Sequence, residues 1–120
     1  MLEARKVSNI IEVSVEKIND IPVIDIKGDV TAVTGVEVKN AYETLSKEGS
    51  MKIICHFDPA CYINSGGLAF FIEIASESRK ENQNVCICGL SDHFLKIFKM
   101  VGLTRCFDMY TCQEDAMKSS

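Results

Sequence analysis

At 120 residues, 47% apolar and 25% charged, the chain is long enough for one domain whose single core buries roughly two-thirds of the unfolded surface. Its net charge of −4, with basic residues scattered along the chain, leaves no phosphate-backbone footprint, so nucleic-acid binding is not expected. No run reaches the length of a membrane span, and Glu3, Arg5 and Lys6 stand where a signal peptide would need an apolar core. The expectation is a cytoplasmic protein without direct membrane insertion.

In chain order, residues 10–15 and 21–26 are two β-branched runs separated by Lys17-Ile18-Asn19-Asp20, whose Asn-Asp suits a turn between antiparallel strands. From Gly35, the spacing of Val36, Val38, Ala41, Tyr42 and Leu45 predicts a helix ending at Gly49 as its C-cap. Residues 52–57 have the dense apolar centre of a central strand, closed by Asp58-Pro59. Leu68, Phe71, Ile72 and Ala75 then mark one stripe of a second helix that runs out near Glu81, widened by Phe70 and Ile74. So broad a face leaves the region of Phe70 either for a partner or for a neighbouring helix. Residues 85–88 read as a fourth strand, and Ser91 caps a third helix through Phe94, Leu95, Ile97 and Phe98 that stops at Gly102. A short strand at 107–110 and a helical turn over Glu114-Asp115-Ala116-Met117 complete the order ββαβαβαβα. That order implies an α/β domain with a mixed sheet of about five strands and right-handed crossovers.

The stretch Tyr62-Ile63-Asn64-Ser65-Gly66-Gly67-Leu68 carries the most functional information, because it places the hydroxyl of Ser65 at a helix start. Free amides and the helix dipole favour a phosphate or another anion there, and two glycines remove side-chain bulk so that a partner can approach. Asn64 and Ser65 are equally good N-caps, and residue type alone leaves that plain reading beside a switch at Ser65. As a catalytic nucleophile Ser65 lacks the Gly-x-Ser-x-Gly elbow, and His56 and His93 show no evident carboxylate to orient them, so the chain does not read as an enzyme. A phosphate-binding Gly-rich loop with a lysine is missing too, and no cofactor is expected. Cys55, Cys61, Cys86, Cys88, Cys106 and Cys112 contain no Cys-x-x-Cys pair. Cys86 and Cys88 alternate onto one face of a strand, so core packing fits them better than a disulfide framework or a soft-metal site.

Three landmarks in order make the chain resemble the STAS family of bacterial anti-sigma-factor antagonists over nearly its whole length. Gly28-Asp29-Val30 is similar to the family's Gly-Glu-Leu, residues 62–68 to its Phe-Met-Asp-Ser-Ser-Gly-Leu, and residues 95–103 to its Leu-Phe-x-x-x-Gly-Leu helix end. The resemblance implies that Ser65 is a phosphoacceptor within a neighbourhood of Asn64, Gly66, Gly67, Thr31 and Asp29, and that Tyr62, Leu68 and Phe70 meet a partner. The implied partner is an anti-sigma factor that is itself a serine kinase of the histidine-kinase-like ATPase type, with a serine phosphatase to reverse the mark. Asn64 and Thr31 stand where the family usually has aspartates, and Gly66 where it often has a second serine, so two negative charges near the acceptor are gone. Those neutral residues lean toward an alternative: an unphosphorylated scaffold or regulatory subunit of a larger signalling or transporter complex.

Overall fold

Asn19 and Asp20 both take left-handed backbone, with φ of 52° and 68°, as a type I′ turn requires. Strand β1 (Ile11–Ile18) therefore folds back antiparallel on β2 (Ile21–Val30), with Ile18 opposite Ile21 and Ile11 opposite Gly28. The computed structural model of the chain describes residues 11–118, and Ile10, expected to open the first strand, lies outside them. After the hairpin come α1 (Gly35–Lys47), β3 (Lys52–Phe57), β4 (Tyr62–Ile63), α2 (Ser65–Lys80), β5 (Asn84–Cys88) and α3 (Asp92–Met100). A 3-10 turn (Leu103–Arg105), β6 (Asp108–Tyr110) and α4 (Gln113–Lys118) complete the described residues. The expected order is kept, with one addition: the two-residue β4, too short to leave a period, pairs in parallel with Asp29 and Val30 at the end of β2. The sheet runs β1-β2-β3-β5-β6, antiparallel at the hairpin and parallel elsewhere.

Period-two alternation sends alternate strand residues to opposite sheet faces. Ile24, Ile26, Ile53, Phe57 and Ile87 join Tyr42, Phe71, Ile74 and Phe98 in the main core under α1, α2 and α3. Phe57, Phe71 and Phe98 meet there with ring centroids 5.4 to 6.5 Å apart. The opposite face carries a smaller cluster, Val23, Ile54, Cys86 and Cys88, covered by Ala116 of α4. On α2 the buried stripe is Phe71, Ile74, Ala75 and Ser78, whereas Ile72 is exposed. Ile72 lies 100° round the helix from Phe71, so a stripe centred on 71, 74, 75 and 78 turns it to solvent.

Charge also holds the helices. Lys39 on α1 is nearly buried and its ammonium reaches Glu73 at 2.9 Å and Glu77 at 3.0 Å on α2, and Glu43 at 3.5 Å on its own helix. Burial alone would lower its pKa, but the hydrogen bonds and charges of Glu73 and Glu77 outweigh burial and raise it. Beside this clamp Tyr42 Oη donates to Gln83, which in turn donates to Ser46 Oγ at 2.8 Å.

Burial pushes the thiols of Cys55 and Cys88 up to about 12. In the unfolded chain a free thiol loses its proton near pH 8.5, so above that pH the unfolded state binds fewer protons than the folded one. Stability is therefore complete below about pH 8.5 and falls with rising pH, by about 1.4 kcal/mol per pH unit for each such thiol, up to the folded-state value. We expect the urea midpoint to drop from pH 8.5 upward, and Cys55→Ala to shallow that slope. With a thiol reagent at neutral pH, partly exposed Cys106 and Cys112 should label first, the buried Cys55, Cys61, Cys86 and Cys88 only on unfolding. Rapid labelling of Cys55 in the native chain would contradict this packing.

Candidate functional site

The backbone at the α2 start is built by Asn64. Its N–H donates to the carbonyl of Val30 at 3.1 Å, which extends the β2–β4 pairing by one residue. Its extended conformation (φ −91°, ψ 179°) then turns the side chain onto the helix, where Oδ1 accepts the Gly67 N–H at 2.8 Å. Its carbonyl accepts the Leu68 N–H, also at 2.8 Å. Asn64 is thus the N-cap, and Ser65 is the first helical residue, exposed, with its hydroxyl unused by the cap. Among the described residues the amides of Ser65 and Gly66 have no acceptor, at the positive end of a 16-residue helix.

Beside this helix start runs the loop from β2 to α1, which two threonines hold. Thr31 Oγ1 accepts the amides of Val33 at 3.1 Å and Thr34 at 3.2 Å, and the Thr31 carbonyl accepts the Gly35 N–H at 2.8 Å. Thr34 Oγ1 accepts the Thr31 N–H at 2.8 Å and donates to the Asp29 carbonyl. A neutral hydroxyl therefore caps this loop at position 31, and no charge is needed to hold it. Thr34 was missed from sequence; a Thr-x-x-Thr pair ahead of a helix was the available signal.

The glycines serve this loop. A Cβ on Gly67 would lie 2.1 Å from the Val30 carbonyl oxygen, and one on Gly66 would lie 2.8 Å from the Ala32 methyl. The space that two missing side chains leave is filled by the chain's own loop, and Gly66 is explained in place of serine by Ala32. Gly35 is as close to Phe70, whose ring would meet a Cβ at 2.4 Å. A neighbouring helix start therefore covers part of Phe70, and the ring is half-buried.

Tyr62 is exposed and sets its ring edge-on to Phe94 at 5.6 Å, with His93 at 4.8 Å from Phe94. Leu68 packs on the main core. The Asp58 carboxylate caps the amide of Ala60 at 2.9 Å, and among the described residues no hydrogen bond ties Asp29 or Asp58 to Ser65. One expectation is corrected: His56 does have a carboxylate, since its Nδ1 lies 2.8 Å from Asp25 Oδ1. The pair was readable as two polar residues breaking buried strands, but their pairing depends on the β2–β3 register that sets Asp25 opposite His56. His56 alternates with Cys55 and Phe57, which face the core beneath α2, and so it points to the other face of the sheet, away from Ser65. Among the described residues no cluster of three metal-ligating side chains occurs, and no helix is long and apolar enough to cross a membrane.

A parallel sheet with an antiparallel hairpin at its edge, and an exposed serine on a capped helix start beside the β2–α1 loop, define a small α/β domain with a mixed sheet. Residues 12–116 match the STAS domain model, and the chain belongs to that family. A curated relative, the anti-sigma-B factor antagonist of Listeria monocytogenes, is 28% identical over 81 residues, covering 68% of this chain and 71% of its own. The fold is similar to that of an anti-sigma factor antagonist from Mycobacterium paratuberculosis (TM-score 0.78, 18% identity, 91% of this chain and 92% of that one). It is also similar to the Bacillus cell fate determinant SpoIIAA in its phosphorylated form (TM-score 0.65, 17% identity, 88% and 96% covered).

The contacts of the helix start give a graded series. Gly67→Ala should cost about 2 kcal/mol or more in urea unfolding, because backbone must move to admit the methyl. Asn64→Ala should cost about 1 kcal/mol through the lost cap. Asn64→Asp should be neutral or stabilising by about 0.3 to 1 kcal/mol, since its carboxylate accepts the same bond at the positive helix end. Equal stability of Gly67→Ala and the parent would contradict the close approach to Val30.

Proposed function

We propose that the chain is a cytoplasmic anti-sigma factor antagonist that binds a serine-kinase anti-sigma factor and is switched by phosphorylation of Ser65. The observation that carries this reading is the division of labour at the helix start: Asn64 supplies the cap, so the exposed Ser65 hydroxyl is free to be modified without loss of a structural bond. The curated relatives named as anti-sigma-B factor antagonists support the partner class.

Phosphate on Ser65 adds about −1.5 to −2 charge where the helix dipole favours it by about 0.3 to 1 kcal/mol. The fold tolerates both states. A partner surface packed over Ser65 and Tyr62 does not, because it must desolvate a dianion, and an uncompensated buried charge costs about several kcal/mol. Unphosphorylated chain binds the anti-sigma factor and frees the sigma factor; phosphorylated chain lets go, and a serine phosphatase resets it. Asn64 Oδ1 is committed to the Gly67 amide and Thr31 to the loop, so the group that orients or deprotonates the Ser65 hydroxyl comes from the kinase.

The same two neutral residues favour a second reading, a constitutive binding subunit in which Ser65 is never modified. Calorimetric titration with the anti-sigma factor, together with mass spectrometry after incubation with ATP, separates the two. We expect Ser65→Ala to bind like the parent, and Ser65→Asp to bind at least about tenfold more weakly, a difference of about 1.4 kcal/mol. Addition of one phosphate, mapped to Ser65, should release the parent but not Ser65→Ala. Equal affinity of parent, Ser65→Asp and phosphorylated chain would remove the switch and leave the constitutive subunit.

A further inference from the structure

Between α2 and the turn that follows α3 lies an open cleft of about 440 Å³, away from the Ser65 end of α2. Its apolar lining includes Ile72 and Ala75 on one wall and Val101 and Leu103 on the other, with Ile72 and Val101 exposed. The charged side chains lining it are Arg79 and Lys80, both cationic, on a chain whose net charge is −4. The acidic residues of the same helix do not neutralise them. Glu73 and Glu77 are engaged by Lys39 of α1, and among the described residues neither Arg79 nor Lys80 pairs with a carboxylate. The Lys39 clamp thus engages the two acidic residues of α2 and leaves Arg79 and Lys80 without a carboxylate partner beside the cleft.

An apolar trough flanked by unpaired cations is complementary to a helix with one apolar and one acidic face. We infer that the cleft between α2 and the α3 turn docks an acidic amphipathic helix of a partner protein. The trough is concave, which suits an inserted helix face better than a lipid surface, and its apolar floor beside two cations matches the paired apolar and acidic faces of such a helix. The inference goes beyond the switch and does not need it: Ser76, which also lines the cleft, lies eleven residues along α2 from Ser65, about 16 Å at the helical rise.

The test is an amide-shift titration of the isotope-labelled full chain with three probes. These are a synthetic amphipathic peptide of about five turns with leucine on one face and glutamate and alanine on the other, the same peptide with lysine for glutamate, and anionic phospholipid vesicles. The acidic peptide should shift the amides of Ile72, Ala75, Val101 and Leu103 and bind at least about tenfold more tightly than its lysine counterpart. The double variant Arg79→Glu, Lys80→Glu, both exposed positions, should lose about tenfold in affinity while keeping the parent spectrum elsewhere. Ser65→Asp should leave the titration unchanged, so failure of the switch and failure of this site read separately. No shift of those amides at millimolar peptide, equal or tighter binding of the lysine peptide, or indifference to the charge reversal would overturn the proposal. So would preference for the vesicles, or concentration-dependent shifts of the same amides in the free chain, which would assign the cleft to lipid or to a second copy.

Discussion

The arrangement depends on how closely the first turn of α2 approaches the end of β2. The Val30 carbonyl accepts the Asn64 amide and lies where a side chain on Gly67 would have to go. Only glycine allows that approach, and with it the short β4 can pair with Asp29 and Val30 and the cap can form one residue before Ser65. A methyl at position 67 would force the backbone of the helix start and the end of β2 apart. The site is therefore a consequence of backbone packing more than of side-chain chemistry.

The same helix meets several neighbours at once. Phe71, Ile74 and Ala75 seal the main core, Glu73 and Glu77 close on Lys39, and Arg79 and Lys80 face the cleft before the 3-10 turn. Because successive residues are rotated by 100°, the core stripe at Phe71, Ile74 and Ala75 leaves the rest of the helix surface to the other contacts. A protein this small has few surfaces to offer, and α2 carries both the exposed Ser65 end and an apolar flank without either disturbing the core beneath.

The neutral character of the site also follows from its packing. Thr31 and Asn64 satisfy amides that aspartates could satisfy equally well, so the loop and the helix start lose nothing in structure by being uncharged. What changes is the field at Ser65: with two negative charges fewer, a phosphate placed there meets less repulsion. The consequence under the proposed switch is a phosphorylated form that is easier to hold and an acceptor that relies on its kinase for activation.

Much of the fold was legible because each element carries a local signal. Asn19-Asp20 specified the hairpin, Lys52–Phe57 is the strand that its apolar centre announced, and Ser91 and Gly102 bound the third helix as capping residues do. The candidate serine was legible for the same reason, since a hydroxyl between a strand run and a helical stripe is a local pattern. What the chain determined by itself was which residues could cap, turn or be buried, because those preferences act over a few neighbours. Only the tertiary structure decided that Asn64 and not Ser65 is the cap, that the spaces beside Gly66, Gly67 and Gly35 are filled by Ala32, Val30 and Phe70, and that His56 meets Asp25 on the far face. Each of those is a contact between segments distant in sequence or a choice made by such a contact, and it is fixed by register and close approach, which no local preference records.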